Sequence, residues 1–180
     1  PANVTYMMVA PQDQVFAFGC NEEVSGTFNP LCIRHSSVRI NTEWTTTTSS
    51  TAREYILPGG GRIVAAREMG SYLAVWTSHG MFLGTYVGAI GQIWRFDKVG
   101  DHCGLMGPNA VIVVGQTAFW LGSDLQFYSY TLGGAPTPID CPILTDFTDN
   151  ITSSQADKIV ASSTAGFSDI RWDYPDARDG

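Results

Sequence analysis

The residues best suited by type to do chemistry are three histidines, four cysteines and a run of aspartates toward the C-terminus. Asp101-His102-Cys103 sets a histidine beside a thiol, the two elements of a nucleophile pair. Adjacent residues of an extended chain point to opposite sides, and working Cys/His pairs meet from distant sequence, so the plainer reading is a loop with a buried cysteine. His35, His79 and His102 stand singly, without the His-x-His or His-x-x-x-His spacing of a metal site, and His79 beside Gly80 reads as a hairpin tip. Asp140, Asp146, Asp149, Asp157, Asp173, Asp176 and Asp179 supply carboxylates of the kind glycoside hydrolysis uses. None lies in apolar sequence that would raise one pKa of a pair, so they read as solvated surface charge. Gly59-Gly60-Gly61-Arg62 lacks the following helix and Lys-Ser/Thr of a phosphate loop and reads as a turn. Asp13-Gln14 and Ser123-Asp124 fit turn capping by short polar side chains. The expectation is a protein without enzymatic activity: no catalytic residue, no metal and no cofactor.

Cys20, Cys32, Cys103 and Cys141 suffice for two disulfides, but none sits in Cys-x-x-Cys spacing and a domain of this size does not need cross-links. They read as free, mostly buried thiols, which points to an intracellular folding compartment.

The composition bounds the rest. With 44% hydrophobic and 15% charged residues among 180, the chain is that of a folded globular protein. A net charge of −7 repels nucleic acid and anionic membrane, and Arg62, Arg67 and Arg95 are too scattered to offset it. No apolar stretch is long enough to span a bilayer. The chain opens Pro1-Ala2-Asn3, with no initiator Met, so a piece of a longer protein is expected.

The elements that would position these residues are short β-strands. Leu73-Ala74-Val75-Trp76-Thr77-Ser78-His79-Gly80-Met81-Phe82-Leu83 describes an apolar strand, a turn and an aromatic return. Thr117-Ala118-Phe119-Trp120-Leu121-Gly122-Ser123-Asp124-Leu125-Gln126-Phe127-Tyr128 repeats it, and Asp13 to Gly19 is a looser copy. Trp76 and Trp120 are 44 residues apart, inside the range of roughly 40–50 for a repeating four-stranded propeller blade. Both tryptophans are expected at equivalent core positions of successive blades. Strands are expected at 5–10, 14–20, 31–35, 62–68, 71–77, 81–86, 92–99, 110–114, 118–121, 125–130, 158–162 and 168–174, all rich in β-branched and aromatic residues. Gly133-Gly134 marks a further turn. One helical segment is expected near 143–158, with Ile143, Leu144, Phe147 and Ile151 on one face, Asp146 and Asp149 on the other, and Ser153 or Ser154 capping a second short turn. Thr45 to Thr51 reads as an exposed connection. Trp76, Trp94, Trp120 and Trp172 lie in alternating patterns and read as core rather than as a sugar platform.

Several ordered phrases resemble a known family. Trp44-Thr45-Thr46 is similar to a Trp-Thr-Pro segment, although upstream Ile33-Arg34-His35-Ser36-Ser37 lacks the usual Trp and Asp. Gly61 to Ala66, Leu73 to Thr77 and Thr85 to Gly88 follow. Cys103-Gly104-Leu105-Met106-Gly107-Pro108-Asn109-Ala110 resembles a Cys-Gly-Leu-x-Gly-Pro-Asn-Ala phrase, the most specific of the set. Ala118 to Gly122, Pro138 to Pro142, Gln155 to Lys158 and Phe167 to Pro175 complete it. Between Val9 and Pro175 the chain resembles the propeller domain of tubular or nozzle-type tail proteins of short-tailed bacteriophages.

That resemblance implies an all-β fold, with residues 1–180 forming part of a larger propeller. It implies a virion structural protein in the tail, assembled in the host cytoplasm. Its partners would be copies of itself in a ring, hexameric in the family, and other tail proteins such as an adaptor, fibre or hub. DNA would pass through during ejection without being specifically bound, and no membrane is involved. The signature residues carried by these phrases are Trp44, Trp76, Cys103, Gly104, Pro108, Asn109, Trp120 and Trp172. The alternative is a carbohydrate-binding or glycan-cleaving propeller; a third reading is a cellular propeller used as an interaction platform.

Overall fold

The computed structural model describes residues 1–89, 91–164 and 169–179. Strands make up 53% of it and helix 9%, so the protein is mostly β, in four antiparallel sheets that do not close into a barrel. The first sheet comprises β1 (Tyr6–Ala10), β2 (Gln14–Asn21), β3 (Phe28–His35) and β4 (Arg53–Ile56). The second comprises β5 (Ile63–Met69), β6 (Tyr72–Thr77), β7 (Gly80–Ala89) and β8 (Gln92–Asp101). The third comprises β9 (Val111–Val114), β10 (Thr117–Leu121), β11 (Phe127–Thr131) and β12 (Thr137–Ile139). After the helix α1 (Leu144–Asn150) comes a hairpin of β13 (Val160–Thr164) and β14 (Asp169–Asp173).

Each four-stranded sheet is a meander whose spatial order is its chain order. The sheets stack face to face. In β6 the alternation of a strand sends Leu73 and Val75 toward the first sheet and Ala74 and Trp76 toward the third. Burial on both faces explains why this strand reads as a nearly continuous apolar run. The opening strands lie side by side, β1 against β5, β5 against β9, and β9 against β13. Arg67 on β5 ties them, its guanidinium donating to Tyr6 Oη at 3.2 Å and to the Ala66 and Pro108 carbonyls at 2.8 Å.

The twelve expected strands are present within a few residues, Ser168 of the last lying outside the described residues. Two were missing from the expectation: β4 and β12, each the last strand of its sheet. The helical segment is also corrected. It is not one continuous helix over 143–158: α1 stops at Asn150, Ile151 turns extended (ψ 134°), and the expected second short turn follows as a 3-10 turn over Ser153–Lys158. Phe147 is buried against Phe127 and Tyr174, and Asp146 and Asp149 face water as expected. Ile143 is 67% exposed ahead of the helix, and neither Ser153 nor Ser154 caps the turn, whose N-cap is Thr152 without a side-chain bond. Thr45 to Thr51 lies in the loop between β3 and β4, exposed through Ser49, with Thr51 half-buried and Ser50 buried, its hydroxyl donating to the Thr45 carbonyl at 2.7 Å.

Candidate functional site

Seven of the eight signature residues meet around one connector, the 103–110 segment joining the second sheet to the third. Its backbone reaches every neighbour. Leu105 N donates to the Thr77 carbonyl at 3.0 Å and Met106 N to that of Leu121 at 3.1 Å. The Gly104 carbonyl accepts from Ser123 N at 2.8 Å, and the Asn109 carbonyl accepts from Ala161 N on β13 at 2.8 Å. Pro108 offers its carbonyl to Arg67, and Ala110 offers its own to Trp172 Nε1 at 3.2 Å. A Cβ on Gly104 would run into the Ser78 carbonyl and one on Gly107 into the Ala156 carbonyl, so both positions demand glycine for close approach. The phrase is a splice between sheets.

Trp76 and Trp120 sit beside this splice, both fully buried, in an edge-to-face contact with centroids 5.6 Å apart. The Trp120 indole donates to the Cys103 carbonyl at 3.0 Å and stacks on Tyr128. The two tryptophans are core residues but not equivalent ones. Counted from the paired ends of the first turn, Met69–Tyr72 and Val114–Thr117, Trp120 matches Val75 and Trp76 matches Leu121. A one-residue offset reverses the face of a strand, so the tryptophans confront each other across one interface instead of recurring in two. Trp94 is fully buried and Trp172 half-buried against Phe127. Trp44 lies apart from the other signature residues, on the β3–β4 loop, with its carbonyl accepting from Arg34 Nη2 at 2.9 Å.

The residues suspected of chemistry are spread out. His102 is exposed with φ +54°, while Cys103 turns inward, its thiol pushed up to about 11 by burial. His79 is exposed at the β6–β7 tip. Asp140, Asp146, Asp149, Asp157 and Asp173 are exposed; Asp176 is half-buried and paired with Arg178 at 2.5 Å, which holds its carboxyl below the usual range. The side chain of Asp179 lies outside the described residues. Asp124 does act as a turn residue, accepting from Gln126 N and from Tyr128 Oη at 2.6 Å. Asp13-Gln14 does not: Asp13 pairs with Arg39, and Gln14 is fully buried.

Two buried polar clusters escaped the sequence. Gln14 spans the first and second sheets: its Nε2 donates to the Ser36 carbonyl and meets His35 Nδ1, both at 2.9 Å, and its Oε1 accepts from Trp94 Nε1 at 2.8 Å. The same His35 ring nitrogen lies 2.9 Å from the Ser36 carbonyl. On the far face of the first sheet, Cys20 and Cys32 lie together with Arg34, Glu23 and Glu54. All four cysteines are free thiols, three buried and Cys141 half-buried. Among the described residues no three metal-ligating side chains converge, and no helix is long and apolar enough to cross a membrane. No family model matches the chain, and no curated protein matches it either.

Proposed function

We propose that the chain is a run of β-propeller blades serving as a structural element of a bacteriophage tail tube or nozzle. The observation that carries the reading is the placement of β1, β5, β9 and β13 side by side, with each sheet running outward in chain order. Stacked four-stranded meanders sharing a line of opening strands are the arrangement of blades around an axis. The most specific phrase of the resemblance is also the splice that docks successive sheets, a mechanical role suited to a rigid ring.

Those opening strands carry only two charged residues, Arg67 and Glu68, and Arg67 is held by three oxygens. With a net charge of −7, such a wall would let DNA slide past, whereas a basic wall would grip phosphate through counterion release. Electron microscopy of the purified protein should show a ring, hexameric as in the family. Duplex DNA should not be retained at about 0.15 M salt, where the Debye length is ~8 Å. A stable monomer that binds duplex DNA there overturns both halves of the reading.

The glycan-binding or glycan-cleaving alternative has one observation in its favour. An apolar groove of about 290 Å³ beside α1 is lined by Phe127, Trp172 and Tyr174, with Asp140 at its rim. Glycan-array binding or hydrolysis abolished by Trp172→Ala or Asp140→Asn would favour that reading.

A further inference from the structure

Cys20 and Cys32 lie on the face of the first sheet turned away from the second. Their meeting depends on a bulge. Residues two apart on a strand share a face, yet Phe18 packs toward the second sheet and Cys20 toward the opposite side. The register between β2 and β3 slips between Phe18 and Cys20, at Gly19, whose φ of +55° suits glycine. The extra residue swings Cys20 to the outer face, where its Sγ stands 3.8 Å from that of Cys32.

The surroundings are those of a reactive pair. Cys32 Sγ is also 3.7 Å from Glu54 Oε2, so its proton has two acceptors within reach, the Cys20 sulfur and a carboxylate. Arg34, on the same face and 8% exposed, lies 3.7 Å from Glu23 and 3.9 Å from Glu54, and its Nε has no hydrogen-bond partner among the described residues. The hydrogen bond shared with Cys32 lowers the Cys20 thiol below its ordinary value, Arg34 adding to this and burial opposing it. The same hydrogen bond and burial raise Cys32. Val4 and Trp44 pack over the cluster. Both come from segments outside the strands, the kind of cover that opens by local fluctuation.

We propose that Cys20 and Cys32 are a redox-active dithiol that closes to a disulfide across β2 and β3 by exchange with a low-molecular-weight disulfide. The Cys20 thiolate attacks one sulfur of R–S–S–R and releases the first RS⁻. Cys32 passes its proton to Glu54 Oε2 and attacks the Cys20 sulfur of the mixed disulfide, expelling the second RS⁻. The protein loses two protons and two electrons; the proton released by Cys20 and the one passed through Glu54 end on the two RS⁻, so the reagent becomes two RSH. The sulfurs must approach by about 1.8 Å to reach bonding distance. Closure clips the two strands together at the bulge, where their ladder is interrupted.

Glutathione disulfide is the probe. The folded chain, incubated with an excess and then alkylated, should lose two hydrogens by mass and yield one cross-linked peptide pair, Cys20 to Cys32. Cys103 and Cys141 should remain alkylatable. Cys32→Ser should trap glutathione on Cys20, Cys20→Ser should leave Cys32 unmodified, and Glu54→Gln should slow closure roughly tenfold or more. The wild-type mass and peptide map decide the matter even if a serine variant fails to fold. Persistence of both thiols under excess oxidant, or a cross-link through Cys103 or Cys141, overturns the proposal.

Discussion

The second sheet has two neighbours and is joined to them in different ways. Toward the first sheet, Phe16, Phe18, Leu73, Val75 and Trp94 enclose a polar pin: Gln14 holds His35 and Ser36 on its own side and the Trp94 indole on the other. Toward the third sheet the contact is Trp76 against Trp120, with Ala74, Met81 and Leu105 around them and the Cys103 carbonyl as the main polar anchor. Apolar burial drives both. A polar network fixes one docking geometry and makes alternatives costly, but it places a titratable ring inside the joint. The aromatic joint keeps its protons in neutral and acidic solution, since burial raises both Cys103 and Tyr128. One interface is specific and acid-sensitive; the other is acid-indifferent.

The largest expected effect breaks the aromatic joint. Trp120→Ala removes a fully buried indole that touches Trp76, Tyr128 and the splice. The cost should be about 3–5 kcal/mol, as should that of Trp76→Ala. Urea denaturation followed by circular dichroism measures it. A loss below about 1 kcal/mol for both would place the residues among surface positions and remove the joint from the stability of the fold.

Acid should then separate the two interfaces. His35 Nδ1 lies 2.9 Å from both the Ser36 carbonyl and Gln14 Nε2, and its Nε2 has no partner among the described residues. Burial holds the ring down to about 4, the hydrogen bond to the Ser36 carbonyl opposing it and the charge of Arg53 helping. The unfolded chain takes up a proton on this ring near pH 6.5 and the folded chain only near 4. Stability from the neutral ring is therefore complete above 6.5 and is lost as pH falls through that window, on the order of 3 kcal/mol in all. Urea midpoints at pH 7 and 4.5 should diverge more for wild type than for His35→Leu. Equal slopes would mean the ring protonates inside the fold without penalty.

Much of the architecture was legible in the sequence, and the losses have physical causes. Interior strands such as 73–77 and 118–121 announce themselves because they are apolar throughout, the first buried on both faces and the second buried except at half-buried Phe119. The closing strands did not. Arg53-Glu54-Tyr55-Ile56 is charged, and Thr137-Pro138-Ile139 carries a proline tolerated at a sheet edge, so neither reads as core. The tryptophan repeat gave the right strands with an offset of one, because two tryptophans before two turns look alike while pairing register is invisible in one chain. The dithiol was hidden by the bulge that assembles it. Gln14 was expected both to cap a turn with Asp13 and to open a strand; it opens β2 with its side chain inward, and a lone glutamine beside a turn carries no sign of that burial.

The smallest effect is also the sharpest probe of the aromatic joint. Trp76 and Trp120 bury the same side chain in the same interface, but their indole nitrogens differ. Trp120 Nε1 donates to the Cys103 carbonyl at 3.0 Å, whereas Trp76 Nε1 is buried with no acceptor among the described residues. Each Trp→Phe change removes similar ring volume. In Trp120→Phe the Cys103 carbonyl also loses its donor inside the joint, a penalty of about 1–3 kcal/mol when a buried polar group goes unpaired. Trp76→Phe instead removes a group already carrying that penalty, which offsets part of the packing loss. Trp76→Phe should therefore be the milder change by about 1 kcal/mol or more, read from urea midpoints at pH 7. Equal costs would show that the Trp76 N–H finds a partner in solution, and the contrast between the two nitrogens would fall with it.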